Sequence, residues 1–319
     1  MAQPEKQQKI LLESGSNEVE LAEFVLNSQH FGVNVAKIRE FLPYGGVAVT
    51  KMPGSPPSVL GVFLVRGQGV PLIDLAAHLE LGEAGPGSGQ VVVITEFNNL
   101  TTAFIADKIN RIHRLSWSEF KPLNQLLGMD SPQVTGSVNL EGREVLILDL
   151  EHIIGEIIPE SVINYKEKSF ERPLLEQRRE ARIIFAEDST IIRIQVSKIL
   201  KKVGYVQVAA YSDGEAALQA VLELRDKSRA ESLDIGDLLN LVISDIEMPR
   251  LDGLTLCRKI KEDLGQGMPV IMFSSLINKQ MAAKCRAVGA DAFASKPETE
   301  KLISLVDRFC LNEAPPAGR

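Results

Sequence analysis

The sequence has no apolar run approaching the ~20 residues that a membrane-spanning helix needs. Its N-terminus, Met1 to Gln8, is polar and contains Glu5, so it also lacks the apolar core of a secretory signal. Cysteine is scarce: there are three, an odd number with no CxxC spacing, which is typical of a reducing compartment and argues against a zinc site. We therefore expect a cytoplasmic protein that does not insert directly into a membrane.

Basic charge is limited as well. The 319 residues carry a net charge of −7, and residues 1–160 hold 19 acidic against 11 basic side chains. The remaining residues are nearly balanced, with 23 acidic and 24 basic. Neither half has the concentrated basic face that nucleic-acid binding requires, so we expect no nucleic-acid partner. The length exceeds what one hydrophobic core usually supports and predicts about two domains.

The first half, up to about residue 155, is rich in short β-type runs broken by Gly, Pro and Asn. Such spacing is typical of β-barrels and sandwiches. The runs are Glu20–Leu26, Phe31–Val35, Val59–Val65, Val70–Leu75, Gln90–Glu96, Thr101–Ala106, Thr135–Leu140 and Glu144–Leu150. None of the four histidines adjoins a Cys or Ser in a nucleophile motif, so this half is predicted to bind rather than to catalyse. For His78 and His152, helix-start or surface positions are favoured over metal ligation.

An internal repeat runs through this half. Gly61–Leu75 aligns with Gly136–Leu150 at a constant offset of 75 residues, and each copy ends in Asp-Leu after a glycine turn. Chance alignment of Gly and Leu is the alternative explanation. If the repeat is genuine, two related small β-barrels share a core and present grooves that suit protein partners.

Beyond Arg182 the pattern changes to strands alternating with helical periods, which predicts βαβ units and a parallel sheet. Residues Glu160–Glu180 in between are charged, and we interpret them as an interdomain linker with a helical pattern in Leu174–Glu180. Ligands of open parallel sheets collect at the carboxyl ends of the strands. Four apolar runs of the second half end in polar residues, namely Glu187-Asp188, Asp245, Ser274-Ser275 and Lys296-Pro297.

These strand ends form a coherent chemical set. Three clustered carboxylates repel one another unless a cation binds them, and oxygen ligands suit Mg²⁺. Asp245 is then the natural nucleophile toward phosphorus, while Lys296 and the Ser274 hydroxyl would neutralise and orient phosphoryl oxygens. The alternative for a single carboxylate is a helix N-cap, as for Asp188 before Ser189.

Four segments resemble the signatures of response-regulator receiver domains. They are Ile183–Ser189, Ile243–Gly253, Phe273–Ser275 and Ser295–Pro297. The resemblance implies a flavodoxin-like α/β domain with a five-stranded parallel sheet in the order 2-1-3-4-5. It also implies phosphorylation of Asp245, Mg²⁺ bound by Glu187, Asp188, Asp245 and the backbone carbonyl of Glu247, and phosphate-binding or switch roles for Ser274, Phe293 and Lys296.

Three positions depart from the commonest receiver pattern. Glu187 stands where Asp is usual, Ser274 where Thr is usual, and Phe293 where Tyr is usual. The phosphoacceptor, metal and lysine chemistry is retained, while phosphate lifetime and switch strength stay open. The family also leads us to expect a cis peptide bond between Lys296 and Pro297.

The first half resembles the CheW family of chemotaxis coupling proteins. The similar segments are Val59–Gly67, Val70–Leu75 and Gly136–Leu150. A CheW-like domain followed by a receiver resembles the CheV-type coupling proteins. This resemblance implies contacts with chemoreceptor cytoplasmic tips and with the histidine kinase CheA, and Arg66 matches an arginine implicated in such array contacts; a solvated turn arginine is the alternative.

We predict a CheW-like all-β domain of two small SH3-like barrels at residues 10–158, a linker at 159–180 and a receiver at 181–311. Since only a Pro-rich tail follows the last helical pattern, we expect the output through the β domain. The predicted protein is a non-enzymatic chemotaxis adaptor associated with membrane receptor arrays through protein contacts. A phosphate sink that leaves coupling unchanged is the main alternative, and a metal-dependent phosphohydrolase ranks last; oligomeric state is open.

Overall fold

The computed structural model describes residues 17–45, 47–82, 89–98, 100–122, 132–159, 172–265, 267–277 and 279–311. The chain divides into two compact units, one comprising Val19–Val162 and the other Ile163–Arg319 together with the residues up to Glu18. No helix in the described ranges is long and apolar enough to cross a bilayer.

The β-unit, as we call the first of these, consists of short strands with two short helices. The strands are β1 (Glu18–Leu26), β2 (Gln29–Asn34), β3 (Ile38–Pro43), β4 (Val59–Val65), β5 (Gln68–Ile73), β6 (Val91–Phe97), β7 (Leu100–Ala106), β8 (Lys108–Ser116), β9 (Lys121–Pro122), β10 (Val134–Leu140) and β11 (Arg143–Leu148). The helices are α1 (Leu75–His78) and α2 (Leu150–Ile157), and 3-10 turns occur at Val35–Lys37 and Trp117–Glu119.

Two sheets build the β-unit, with strand orders β8-β1-β2-β11-β10-β9 and β3-β6-β7-β5-β4. Phe24 of the first sheet packs against Phe104 of the second with ring centroids 5.1 Å apart, and Ile153 of α2 joins the same buried cluster. Further apolar clusters lie within each sheet. The prediction of two small β-barrel subdomains that share a core is confirmed.

The internal repeat is visible in the backbone. The β4–β5 hairpin matches the β10–β11 hairpin at the 75-residue offset, with the same register shift at its start. Gly67 and Gly142 occupy the turns at φ 83° and 80°, a conformation that side-chain-bearing residues rarely adopt. Asp74 and Asp149 then cap α1 and α2 by accepting backbone N–H groups at 3.0 and 2.9 Å. The two copies therefore fold alike because the same turn and cap residues recur.

The receiver unit, as we call the second, is an α/β fold. Its strands are β12 (Arg182–Ala186), β13 (Gln207–Tyr211), β14 (Leu241–Ser244), β15 (Val270–Ser274) and β16 (Ala292–Ser295). Its helices are α3 (Arg172–Glu180), α4 (Thr190–Lys202), α5 (Gly214–Glu231), α6 (Gly253–Leu264), α7 (Lys279–Ala287) and α8 (Thr299–Cys310), and a 3-10 turn at Ile235–Asp237 precedes β14.

The receiver sheet is parallel, with strand order β13-β12-β14-β15-β16, which confirms the predicted order 2-1-3-4-5. Alternate residues of β12 point to opposite faces: Ile183 and Phe185 join a cluster with α4 and α8, while Ile184 and Ala186 join one with α5, α6 and α7. Helices thus cover both faces, and the carboxyl ends of the strands remain as the edge where the polar residues gather.

Helix α3 belongs to the receiver unit through Arg178, whose side chain is 1% exposed. Its guanidinium donates to both carboxylate oxygens of Asp307 on α8, at 2.8 and 2.7 Å, and to the carbonyl of Val203 at 2.7 Å. The Tyr205 hydroxyl donates to the same carboxylate at 2.6 Å. The linker segment with the predicted helical pattern thus forms a helix, and this helix is attached to the receiver. The limits of the two domains and the linker stay predictions.

Candidate functional site

The acidic residues predicted from the sequence lie at the ends of two adjacent strands. In the parallel register Ala186 of β12 pairs with Ser244 of β14, so the residues that follow them share one edge. The amide of Asp245 donates to the carbonyl of Ala186 at 2.9 Å. One carboxylate oxygen from each of Glu187, Asp188 and Asp245 lies within 4.8 Å of the other two, and this is the one such group of metal-ligating side chains found in the described ranges.

Lys296 enters the same pocket from the end of β16 and is fully buried. Its ammonium lies 3.0 Å from Oε1 of Glu187 and 2.9 Å from Oδ2 of Asp245. A buried ammonium needs opposite charge, and two buried carboxylates need a cation, so the three groups stabilise one another. The longer side chain of Glu187, compared with Asp, reaches this ammonium and also accepts the Ser189 amide at 3.2 Å.

The carboxylate of Asp245 is further held by its own loop. The amide of Ile246 donates to Oδ1 at 2.6 Å, and the Ser244 hydroxyl donates to the Asp245 carbonyl at 2.7 Å. Gly253 packs against that carbonyl so closely that a Cβ would collide with it. Glycine is therefore required at the start of α6 for the loop to fold back on the strand end. Asp252 caps this helix through the Thr255 amide at 2.9 Å, as expected for an ordinary helix start.

The side chains of this site form the donor set of a hard divalent cation. Carboxylate oxygens at this separation match the donor type that Mg²⁺ prefers, with room for water ligands because Asp188 is only partly buried. The residues present thus fit a Mg²⁺ ion. The same residues suit phosphoryl transfer, because that reaction depends mainly on positioning and charge neutralisation.

The remaining predicted residues lie around this centre. Ser274 is buried at the end of β15, where its hydroxyl accepts the Leu276 amide at 3.4 Å. Phe293 lies on β16, three residues before Lys296, with the Arg286 guanidinium 5.4 Å from its ring centroid. Glu247 is buried in the loop after Asp245, where the predicted ligand is its backbone carbonyl. The structure thus brings Glu187 and Asp245 into direct contact with Lys296 and places Asp188 beside them. Ser274 and Phe293 lie on the strands β15 and β16.

The expected cis peptide bond before Pro297 is wrong, since the described residues contain no cis bond. The chain turns through a trans bond instead, closed by the Glu298 amide donating to the Ser295 carbonyl at 2.8 Å. The Glu298 carboxylate accepts the Ser295 amide at 2.9 Å and completes the turn.

Arg66 lies in the turn between β4 and β5 of the β-unit. It has a left-handed backbone at φ 49°, its side chain is 71% exposed, and its guanidinium donates to Glu40 at 2.8 Å. Leu64, on the same hairpin, is 75% exposed, unusual for a large apolar residue. The hairpin therefore presents a cation and an apolar side chain to solvent.

Sequence reasoning did not find three sets of contacts. Arg193, one turn into α4, donates to the backbone of the acidic pair. The four histidines contact glutamates in two pairs. His30 and His113 contact Glu23, and His78 and His152 contact Glu156. His152 is buried in the first turn of α2, which is the helix-start position favoured for it. His113 and Glu23 are 90 residues apart and His78 and Glu156 are 78 apart, so no spacing signal could have joined them. His152 and Glu156 stand four residues apart on α2, a helical spacing that the sequence does show.

Comparison with known proteins agrees with both units. Residues 20–157 match the CheW-like domain, and residues 183–307 match the response regulator receiver domain. The chain is 29% identical over 307 residues to chemotaxis protein CheV3 of Helicobacter pylori, covering 92% of this chain and 95% of that protein. It is 28% identical over 138 residues to a probable chemotaxis protein CheW of Rhizobium etli, covering 43% of this chain and 88% of that one. The scaffolding protein TtCheW from Thermoanaerobacter tengcongensis is 21% identical with a TM-score of 0.39, covering 42% of this chain and 91% of that one.

Fold and site together define a receiver domain joined to an all-β domain. The matches make the combination specific: the chain is a CheV-type fusion of a CheW-like domain and a receiver domain. It is a chemotaxis adaptor with a receiver domain.

Proposed function

We propose that this protein couples chemoreceptors to the histidine kinase CheA, and that phosphorylation of Asp245 regulates the coupling. The observation that carries the proposal is the buried pocket in which the Lys296 ammonium lies 3.0 Å from Glu187 and 2.9 Å from Asp245. Such a pocket sits in a chain whose other domain is CheW-like, so phosphorylation chemistry and partner binding are divided between two domains.

Mg²⁺ would be held by Glu187, Asp188, Asp245 and the backbone carbonyl of Glu247. When bound, the ion neutralises negative charge on the phosphoryl oxygens and on the clustered carboxylates. The three carboxylates, whose oxygens lie within 4.8 Å of one another, would repel one another less with a cation held between them.

The protein's own residues perform the transfer as follows. A carboxylate oxygen of Asp245 attacks phosphorus, and the bond from phosphorus to the histidine nitrogen of the donor kinase breaks. That nitrogen keeps the electron pair. Lys296 is already within 2.9 Å of the acceptor carboxylate and needs only to follow the new phosphoryl oxygens. Ser274, one strand away from Asp245, supplies a hydroxyl that can donate to one of them.

Phosphorylation changes the surface through β15 and β16. When the Ser274 hydroxyl turns toward the phosphoryl group, it gives up the Leu276 amide that it accepts at 3.4 Å. Phe293 lies on the neighbouring strand β16, where it pairs with Met272 two residues before Ser274, and it is partly buried beneath Arg286. We expect the packing of Phe293 to shift, so that the receiver surface presented to the rest of the adaptor differs between the two states.

The phosphorylation step is tested by incubating the full chain with acetyl phosphate and Mg²⁺ and measuring intact mass. Wild type should gain one phosphoryl group, and Asp245→Asn should gain none. Asp226→Asn is the matched control, because Asp226 is an exposed carboxylate paired with Arg225 on α5. Equal labelling of wild type and Asp245→Asn, or no labelling of any variant, would contradict the assignment.

Partner binding by Arg66 is tested separately. Glu40, 2.8 Å from the guanidinium, competes with a partner's carboxylate for Arg66. Arg66→Ala should therefore weaken binding to receptor or kinase, while Glu40→Gln should leave it intact or strengthen it. Arg111→Ala is the control, since Arg111 is an exposed arginine of the same unit, 2.7 Å from Glu141. Co-sedimentation with receptor-containing membranes measures the effect, and equal loss in both arginine variants would refute a specific role.

A further inference from the structure

The loop that carries the acidic pair is not fixed by the usual helix cap. Ser189 stands at the N-cap of α4, yet its side chain makes no capping hydrogen bond. A serine at this position normally accepts a backbone N–H of the first turn and so fixes the entry of the chain into the helix. The loop between β12 and α4 therefore needs another means of support, because it places two carboxylates that repel each other.

Arg193 supplies contacts to this loop from one turn inside the helix. One guanidinium nitrogen donates to the carbonyls of Glu187 at 2.7 Å and of Asp188 at 3.0 Å. The other donates to the Thr190 hydroxyl at 3.1 Å. The backbone of Arg193 is itself held by the helix, since its amide donates to the Ser189 carbonyl at 2.9 Å.

Two consecutive carbonyls bound by one planar cation fix two consecutive peptide planes. Those planes set the directions in which the Glu187 and Asp188 side chains leave the backbone. The guanidinium also places positive charge at the backbone of two residues whose carboxylates face a third, which lowers the cost of holding them together. Neither effect requires Arg193 to touch the metal or the phosphoryl group.

We propose that Arg193 is a positioning residue that pre-organises Glu187 and Asp188 for Mg²⁺. The inference rests on the proposed Mg²⁺-dependent phosphorylation of Asp245. Without the guanidinium, the loop must be ordered when the ion binds, and the free energy of that ordering is subtracted from the binding free energy. Loss of residues that orient metal ligands typically weakens metal binding about 10- to 100-fold.

The test is isothermal titration of Mg²⁺ into the full chain in the absence of a phosphodonor. Arg193→Met keeps the apolar part of the side chain and should raise the dissociation constant about 10-fold. Arg193→Lys retains a cation that can reach one carbonyl, so its dissociation constant should lie between those of wild type and Arg193→Met. Thr190→Val removes the hydroxyl that Arg193 contacts and should raise the constant by a smaller factor, which gives a second variant if Arg193→Met folds poorly.

Arg225→Met is the matched control, because Arg225 is an arginine of the same unit whose partners, Asp226 and Asp263, are surface carboxylates. Its Mg²⁺ affinity should equal that of wild type. An unchanged dissociation constant in both Arg193→Met and Thr190→Val, with normal binding by wild type, overturns this inference and leaves the proposed function intact. Absence of Mg²⁺ binding by wild type overturns both, as does the acetyl phosphate experiment above if no variant is labelled.

Discussion

The attachment of α3 to the receiver offers the most quantitative prediction. Arg178→Met removes a buried guanidinium but keeps most of the apolar side chain. The change breaks two hydrogen bonds to Asp307 and one to the carbonyl of Val203, all between 2.7 and 2.8 Å. Removing one partner of a buried ion pair typically costs about 3–5 kcal/mol because the other charge loses its compensation.

The lower end of that range applies here. The Asp307 side chain is 14% exposed, and it keeps the Tyr205 hydroxyl at 2.6 Å as a donor. Burial first, and then the Asp307 carboxylate, raise the pKa of Tyr205 above its usual range, so the hydroxyl stays protonated. We expect the free energy of unfolding to fall by about 3 kcal/mol, which at a typical urea slope of about 2 kcal/mol/M lowers the midpoint by roughly 1.5 M.

The chain contains an internal reference for this measurement. Its single tryptophan, Trp117, is buried in the β-unit, so tryptophan fluorescence follows that unit, whereas most helical residues lie in the receiver and dominate the far-UV circular dichroism. Arg178→Met should shift the dichroism transition and leave the fluorescence transition in place. Arg179→Met, an exposed neighbour on α3, should shift neither.

A double-mutant cycle isolates the pair. Asp307→Leu alone should also destabilise the receiver, because it leaves Arg178 buried without its carboxylate. In the double variant neither charge remains, so its loss of unfolding free energy should be smaller than the sum of the losses in the two single variants. Additive losses, or a midpoint for Arg178→Met within error of wild type, would refute the account of α3 as an element attached by a buried ion pair.

Two further predictions concern other buried charges. Burial raises the pKa of Glu23, but hydrogen bonds from His113, Asn110 and His30 lower it by more, to about 2. Because the folded pKa lies below the usual 4.5, the stabilisation by Glu23 is complete above pH 4.5 and is lost as pH falls toward 2. The free energy of unfolding of Glu23→Gln, followed by Trp117 fluorescence, should therefore depend less on pH in that window than that of wild type. Equal pH slopes for the two proteins would contradict this. Arg250 has a left-handed backbone at φ 66° and pairs with the buried Asp213. Both Arg250→Ala and Arg250→Gly lose the ion pair, but glycine relieves the strain of the left-handed backbone. In urea unfolding the glycine variant should therefore be about 1 kcal/mol more stable than the alanine variant. Equal midpoints would rule out backbone strain at this position.

The fold followed from sequence wherever strands are apolar and buried. The run Val59–Val65 was predicted with the bounds that the structure gives it. Three strands of the β-unit were missed, β3, β8 and the two-residue β9, and each lies at a sheet edge. Strand β8 is rich in charge, with exposed Lys108, Arg111 and Arg114, because an edge strand needs charge to prevent pairing with other chains. Edge strands lose the alternating apolar pattern for that reason, and the pattern is what sequence reasoning detects.

The pocket was predictable because topology alone gathers strand ends. Asp245 and Lys296 are 51 residues apart, yet parallel pairing of β14, β15 and β16 places both at one edge. Contacts between side chains and distant backbone atoms could not be predicted in the same way. The Arg178–Asp307 pair spans 129 residues, and its partners show no motif that marks them for each other.

The central claim is that phosphorylation of Asp245 changes the coupling of receptors to the kinase. Its most direct test is the activity of CheA in assemblies reconstituted from receptor membranes, kinase and this adaptor, with and without acetyl phosphate and Mg²⁺. Kinase activity should change on phosphorylation when the adaptor is wild type and stay constant when it is Asp245→Asn. Constant activity with a wild-type adaptor that intact mass shows to be phosphorylated would contradict the claim and leave a phosphate sink.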